Sequence, residues 1–166
     1  MADPDPFADV LAANGVFADG YDLQGLEAKA ARGLAVLTCM DSRLDPLRML
    51  GLEPGDAKIL RNAGARVTDD VLRTLVVARY LLGVDRIVVV AHTRCRMAGG
   101  TEDDVHEAIA AAGGPDTRSM ALLTTTDQDA AIRQDVQRVR SFPYLDRTEV
   151  GGFVFDIDTG RLRRVC

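Results

Sequence analysis

A chain of 166 residues with 47% hydrophobic residues and a formal net charge of -5 can bury a core without disulfide staples, and it lacks the concentrated positive face that a nucleic-acid partner requires. No apolar run reaches the ~18 to 20 residues of a membrane-spanning helix, and the start MADPDPFADV lacks the basic and apolar regions of a signal peptide, so a cytoplasmic protein with no membrane partner is expected. Three cysteines at irregular spacing do not describe a disulfide framework, which turns attention to metal binding or catalysis.

In chain order, Phe7, Val10, Leu11 and Phe17 form a partial apolar stripe on an N-terminal helix, which either packs on its own core or docks on a second subunit. Residues 1–30 read as a helical arm and 33–166 as the core of a single domain. The apolar run Gly33 to Thr38 suits a buried parallel strand, and Ala57 to Leu60 is a weaker strand candidate. Thr68, Asp69 and Asp70 cap a helix whose apolar positions Val71, Leu72, Leu75, Val76 and Leu82 recur at helical spacing up to Gly83. The run Arg86 to Ala91 is the richest strand candidate. Thr101 followed by Glu102, Asp103 and Asp104 starts a further helix to about Ala112, ended by Gly113, Gly114 and Pro115. Residues 115–126 read as loop and Asp127 to Arg140 as an amphipathic helix with Ile132, Val136 and Val139 on one face. Two short strands around Asp158, Thr159 and Gly160 make a closing hairpin, with Arg161, Arg163 and Arg164 as solvated edge charge. The alternation predicts an α/β fold.

Chemistry concentrates after the two best strands. Cys39 follows the first, His92 follows the richest, and Cys95 stands three residues further on. If the weaker strand lies outside the first, the two main strands are neighbours and a crevice opens between their outgoing loops, where ligands bind in open α/β sheets. Two thiolates and an imidazole are ordinary zinc ligands, and three protein donors leave one position open, which is the pattern of catalytic rather than structural zinc. Asp41 and Arg43 add a carboxylate and a guanidinium able to pair through a bidentate fork. Asp41 then either orients water beside the metal while Arg43 holds it, or binds the metal and closes the site.

The C-x-D-x-R segment at Cys39, Asp41 and Arg43 and the later H-x-x-C segment at His92 and Cys95 resemble the beta class of carbonic anhydrases, short prokaryotic type. The likeness extends through Arg61-Asn62-Ala63-Gly64, the helix after Thr68, the strand before His92 and the closing turn, covering roughly Gly33 to Val165. It implies a mostly parallel four- to five-stranded sheet flanked by helices and one Zn2+ per subunit on Cys39, His92 and Cys95. It further implies Asp41 and Arg43 as the catalytic pair, carbon dioxide and bicarbonate as substrates, and a homodimer or higher homo-oligomer over which the N-terminal helix reaches. Where the family commonly has glycine after its second cysteine, this chain has Arg96, flanked by Arg94 on the other side of Cys95. A glycine-specific backbone angle or close approach there would be strained by arginine, which bears on the loop geometry and not on the three ligands. The two added positive charges either favour thiolate and attract bicarbonate or point to solvent, and the reach of arginine's charged end favours solvent.

Three other functions fit parts of the pattern: hydrolysis of carbonyl sulfide or carbon disulfide on the same zinc, a non-catalytic zinc module, and a phosphatase or sulfur transferase using Cys39 as nucleophile. The last needs an arginine further from the cysteine than Arg43 stands. His106, amid acidic residues on a predicted helix, reads as solvated surface, and Cys166 as a free, mobile terminal thiol. Ala65 and Val67 are the candidates for lining the substrate pocket.

Overall fold

The structure, a computed structural model, describes residues 5–166, so the first four residues of the expected arm lie outside the described residues. In chain order the elements are α1 (Ala8–Asp19), β1 (Leu34–Cys39), α2 (Pro46–Met49), β2 (Ala57–Asn62), α3 (Asp69–Leu81), β3 (Arg86–His92), α4 (Glu102–Ala111), α5 (Gln128–Arg140), β4 (Glu149–Phe155) and β5 (Leu162–Arg164). The five strands form one sheet in the order β2-β1-β3-β4-β5, parallel except for the final antiparallel pair β4 and β5. The predicted α/β class, the closing hairpin and the placement of the weaker strand outside the first all agree with this arrangement.

Side-chain alternation sorts each strand onto two faces. Ala35, Leu37, Ile87, Val89, Val150 and Val154 pack with Leu72 and Leu75 of α3 and with Ile132, Val136 and Val139 of α5. Leu34, Val36 and Val90 point to the other face, where Leu47 and Met49 of α2 and the adjoining Leu50 and Leu52 cover them. A depression of about 280 Å3, with Arg32, Arg86, Val88, Phe153 and Leu162 in its walls, remains open there.

Local chemistry accounts for the helix limits. Thr68 accepts the Val71 amide at the start of α3, and Thr101 and Asp104 close a reciprocal capping box on α4. At the end of α3 the last helical residue is Leu81, and Leu82 caps it, only partly buried, before Gly83 turns the chain at φ +72°. Gly152 decides how near α5 comes to the sheet: a Cβ there would meet Ile132 Cγ2 at 2.3 Å and Cys166 Sγ at 2.9 Å. The terminal residue is accordingly not a loose end as expected. The Gly152 amide donates to its carbonyl at 3.0 Å, and the free thiol packs against the α3 and α5 core.

α1 has no buried residue, with Phe7, Val10, Leu11, Val16 and Phe17 between 59% and 77% exposed, so the reading in which it packs on its own core does not hold. The arginines of the last strand are exposed as edge charge, yet Arg163 also grips Asp129 of α5 through both terminal guanidinium nitrogens at 3.0 and 2.7 Å.

Candidate metal centre

The site lies where the two central strands part. β1 pairs with β3 only as far as Thr38 opposite Val90, after which Cys39 pairs with Asn62 of β2, and His92 pairs with Phe155 of β4. Cys39 and His92 are thus the last residues of their strands, one position earlier than expected, and the ladder holds their backbones on either side of the crevice. Cys95 follows on the loop after Arg94, a left-handed residue at φ +54°.

The Sγ atoms of Cys39 and Cys95 and a ring nitrogen of His92 lie within 4.8 Å of one another, and all three residues are buried. The His92 Nδ1 edge meets the Thr93 carbonyl at 2.9 Å, which leaves Nε2 as a lone-pair donor; buried, it has no hydrogen-bond partner. The sulfurs are 3.9 Å apart, close to the ~3.8 Å that two thiolates subtend on a tetrahedral ion with ~2.3 Å bonds. Donor type, spacing and the orphaned nitrogen fit a metal ion of zinc character.

Protons are unevenly shared in this cluster. The hydrogen bond from Cys95 holds the Cys39 thiol far below its ordinary range against the pull of burial, with His92 and the Gly64 amide adding to the effect. That same hydrogen bond, with burial, drives Cys95 upward. On His92, burial disfavours a second proton, but the Cys39 sulfur and the Thr93 carbonyl favour it and prevail.

Asp41 stands beside the donors, outside their cluster. Its Oδ1 accepts the Arg43 amide at 3.0 Å and Nε at 2.9 Å, its Oδ2 accepts a terminal guanidinium nitrogen at 2.7 Å, and Oδ2 is 3.8 Å from His92 Nε2. This fork keeps the Asp41 carboxyl well below the usual carboxylate range and raises Arg43 in return. Arg43 also donates to the Arg94 carbonyl at 3.1 Å, tying the two loops together.

Sequence reasoning gave no role to Arg61, although it lies within the resemblance, and did not mark Gln128. Arg61, at the end of β2, donates to the carbonyls of Cys39 at 3.0 Å, Leu44 at 3.3 Å and Asp41 at 2.6 Å, and so fixes the loop that carries Asp41 and Arg43. Gln128 donates to the His92 carbonyl at 3.0 Å. The available signal for Arg61 was its place in the Arg61-Asn62-Ala63-Gly64 segment of the family resemblance; nothing local marks Gln128. Of the two pocket candidates, Ala65 lines a small cavity of about 10 Å3 beside Cys95 and Gln128, whereas Val67 is core beneath α3.

The strained angle expected after Cys95 falls instead before it, at Arg94, whose guanidinium is anchored on Asp158. Arg96 begins a short 3-10 turn and is exposed. His106 is not solvated surface: it is 6% exposed, with Nδ1 2.8 Å from Thr117 Oγ1, because the loop after α4 folds back over the helix.

A family model described as Carbonic anhydrase matches residues 34–162. The chain is 39% identical over 159 residues to Beta-carbonic anhydrase 1 of Mycobacterium tuberculosis, covering 95% of this chain and 96% of that one. It is 30% identical over 157 residues to a carbon disulfide hydrolase of Acidianus sp., covering 80% of this chain and 77% of that one. Among solved structures, the carbonic anhydrase from Streptococcus mutans matches with a TM-score of 0.90 at 36% identity, over 100% of both chains. A likeness that spans nearly the whole chain, in sequence and in backbone alike, makes this protein a member of the beta class of carbonic anhydrases.

Proposed function

We propose that the protein catalyses the reversible hydration of carbon dioxide to bicarbonate and a proton, with one zinc ion per subunit held by Cys39, His92 and Cys95. The observation that carries this reading is the buried, unpartnered His92 Nε2 facing two cysteine sulfurs, with Asp41 clamped alongside. A zinc ion bound there supplies the Lewis acidity that makes water nucleophilic, tempered by two thiolate donors relative to a site of three neutral histidines.

The rest of the work falls to the chain. Thr93 fixes the His92 ring so that Nε2 faces inward. Arg43 occupies both Asp41 oxygens from one side, so the remaining lone pairs of Oδ2 face the donors and accept a hydrogen bond from the reacting water, aiming its oxygen at carbon dioxide. Held below the ordinary carboxylate range, Asp41 stays an acceptor and does not keep the proton, which leaves to solvent. Stopped-flow carbon dioxide hydration on metal-quantified protein tests the reading. Turnover that scales with zinc content and rises toward alkaline pH is expected, and stoichiometric zinc with no rate above background would refute it. Carbon disulfide and carbonyl sulfide belong in the same assay, because a relative at 30% identity is a carbon disulfide hydrolase.

The same reading makes the chain a cytoplasmic single domain, residues 1–166, with 33–166 as its zinc-binding core and 1–30 as an arm that joins it to a second copy. Its free cysteines suit a reducing compartment, and no helix among the described residues is long and apolar enough to cross a membrane. Residues 5–28 carry Asp5, Asp9, Asp19, Asp22 and Glu27 without a basic residue, while Arg32 and Arg86 rim the open sheet face. Apolar stripe and open face, with opposite charges, support a homodimer in which the arm of each copy covers the other.

A further inference from the structure

The reaction makes no use of the ion pair between Arg66 and Asp135, yet the Asp135 side chain is buried at 5% exposed and that of Arg66 is largely covered at 14%. We infer that this pair positions the Cys39 sulfur through the turn that precedes Arg66, an inference that rests on Cys39 being a metal ligand. Arg66 Nε donates to Asp135 Oδ2 at 2.6 Å, and NH1 donates to the Leu123 carbonyl at 2.7 Å. Leu123 is itself held in a left-handed conformation, φ +60°, with its amide on Glu102 Oε1 at 2.6 Å. One guanidinium thus joins α5, the loop after α4 and the chain that leaves β2.

What it holds is a strained turn. Gly64 and Ala65 are successive left-handed residues, at φ +79° and +58°, and an alanine does not stay there without support from its surroundings. Asn62 clasps Arg66 on both backbone groups, accepting its amide at 2.9 Å and donating to its carbonyl at 2.7 Å. The turn aims the Gly64 amide at Cys39 Sγ, 3.4 Å away, and Met97 closes its other side, 3.0 Å from where a Gly64 Cβ would stand. An N–H donor on a ligating sulfur draws electron density from it, and its effect depends on a direction that only this turn sets.

Stability alone does not call for the pair, since apolar residues of similar volume serve a buried site as well or better. They do not reproduce a fork that grips a carboxylate and a carbonyl at fixed angles. Asp135 and Arg66 are therefore positioning residues.

The test uses the full chain loaded with cobalt(II), whose sulfur-to-metal absorption reports electron density on the cysteine ligands. Two proteins are compared with the unmodified one: Asp135→Asn, and the apolar pair Arg66→Met with Asp135→Leu. In both, the band moves to longer wavelength and kcat/KM of the zinc form falls about 10-fold. In the apolar pair, which carries the test should Asp135→Asn not fold, Tm stays within a few degrees of the unmodified protein. An apolar pair with unchanged band and rate overturns the inference, because the ion pair would then serve packing alone. A Cys39→Ser protein whose band equals that of the unmodified protein would instead overturn the assignment of Cys39 as a ligand, so the two failures are distinguishable.

Discussion

The N-terminal helix and the loops around the metal centre differ in how much of their surroundings the chain itself supplies. α1 buries nothing, and its large apolar side chains face outward. At the centre nearly every polar group has its partner within the same chain: Arg61 on three carbonyls, Arg43 on Asp41, Gln128 on the His92 carbonyl, Thr93 on the imidazole. A group that must sit within fractions of an ångström of its target is held by short contacts in its own subunit. In the proposed homodimer, a helix that covers a surface can wait for that surface to arrive with another copy.

The contrast is sharpest when one donor is removed. Cys39→Ala is expected to bring carbon dioxide hydration down to the uncatalysed background and bound zinc to well below stoichiometric, measured by stopped flow and metal analysis, while the circular dichroism of the sheet persists. Next in size, charging the arm with Leu11→Asp and Phe17→Asp is expected to convert the proposed dimer to monomer by analytical ultracentrifugation and to leave zinc content unchanged; a monomeric unmodified protein would remove the role given to the arm. Arg61→Ala releases the loop bearing Asp41 and Arg43 and lowers kcat/KM by about 10- to 100-fold with the subunits still associated.

Smaller effects probe the packing beneath the site. Gly152→Ala forces a methyl against Ile132 and Cys166, destabilising the fold by about 1 to 3 kcal/mol, seen as a Tm lowered by several degrees in calorimetry. Asp129→Asn is the mildest. Arg163 depresses the Asp129 carboxyl in the fold, so its stabilisation is full above the ordinary carboxylate range near pH 4 and is lost as pH falls through the depressed value. The variant is therefore slightly less stable at neutral pH, and denaturant titrations show the difference vanishing in strong acid. An equal difference at every pH would mean that the pair acts through packing.

Much of this was legible in the residue order because the signals were local. Valine-rich runs, a Thr-Asp-Asp cap and a tight terminal turn each need only their neighbours to be read, and two of the three donors stood at the ends of the two best strands, with Cys95 three residues beyond the second. The illegible parts depend on distant segments. His106 is buried because residues 115–126 return over α4, an event that its acidic neighbours in sequence do not announce. Arg66 acquires meaning only when Asp135, 69 positions later, comes to meet it. The strained residue was sought at Arg96, beside the second cysteine, and lies at Arg94, where the Arg43 fork and the Asp158 turn converge.

The parallel pairing of β1 with β3 also bears on how the protein is made. Cys39 and Cys95 are 56 positions apart, so no short stretch of the nascent chain can capture an ion in the manner of a zinc finger, whose ligands are close neighbours. The donors meet only once a long loop has closed and two central strands have paired, a slow class of contact. At ~5–20 residues per second, Cys39 waits on the order of several seconds at the ribosome before its partner is synthesised. Throughout that interval it is an unligated thiol, open to oxidation or to capture by adventitious metals. Its vulnerability is thus greatest during synthesis, and the finished sheet ends it by burying the sulfur.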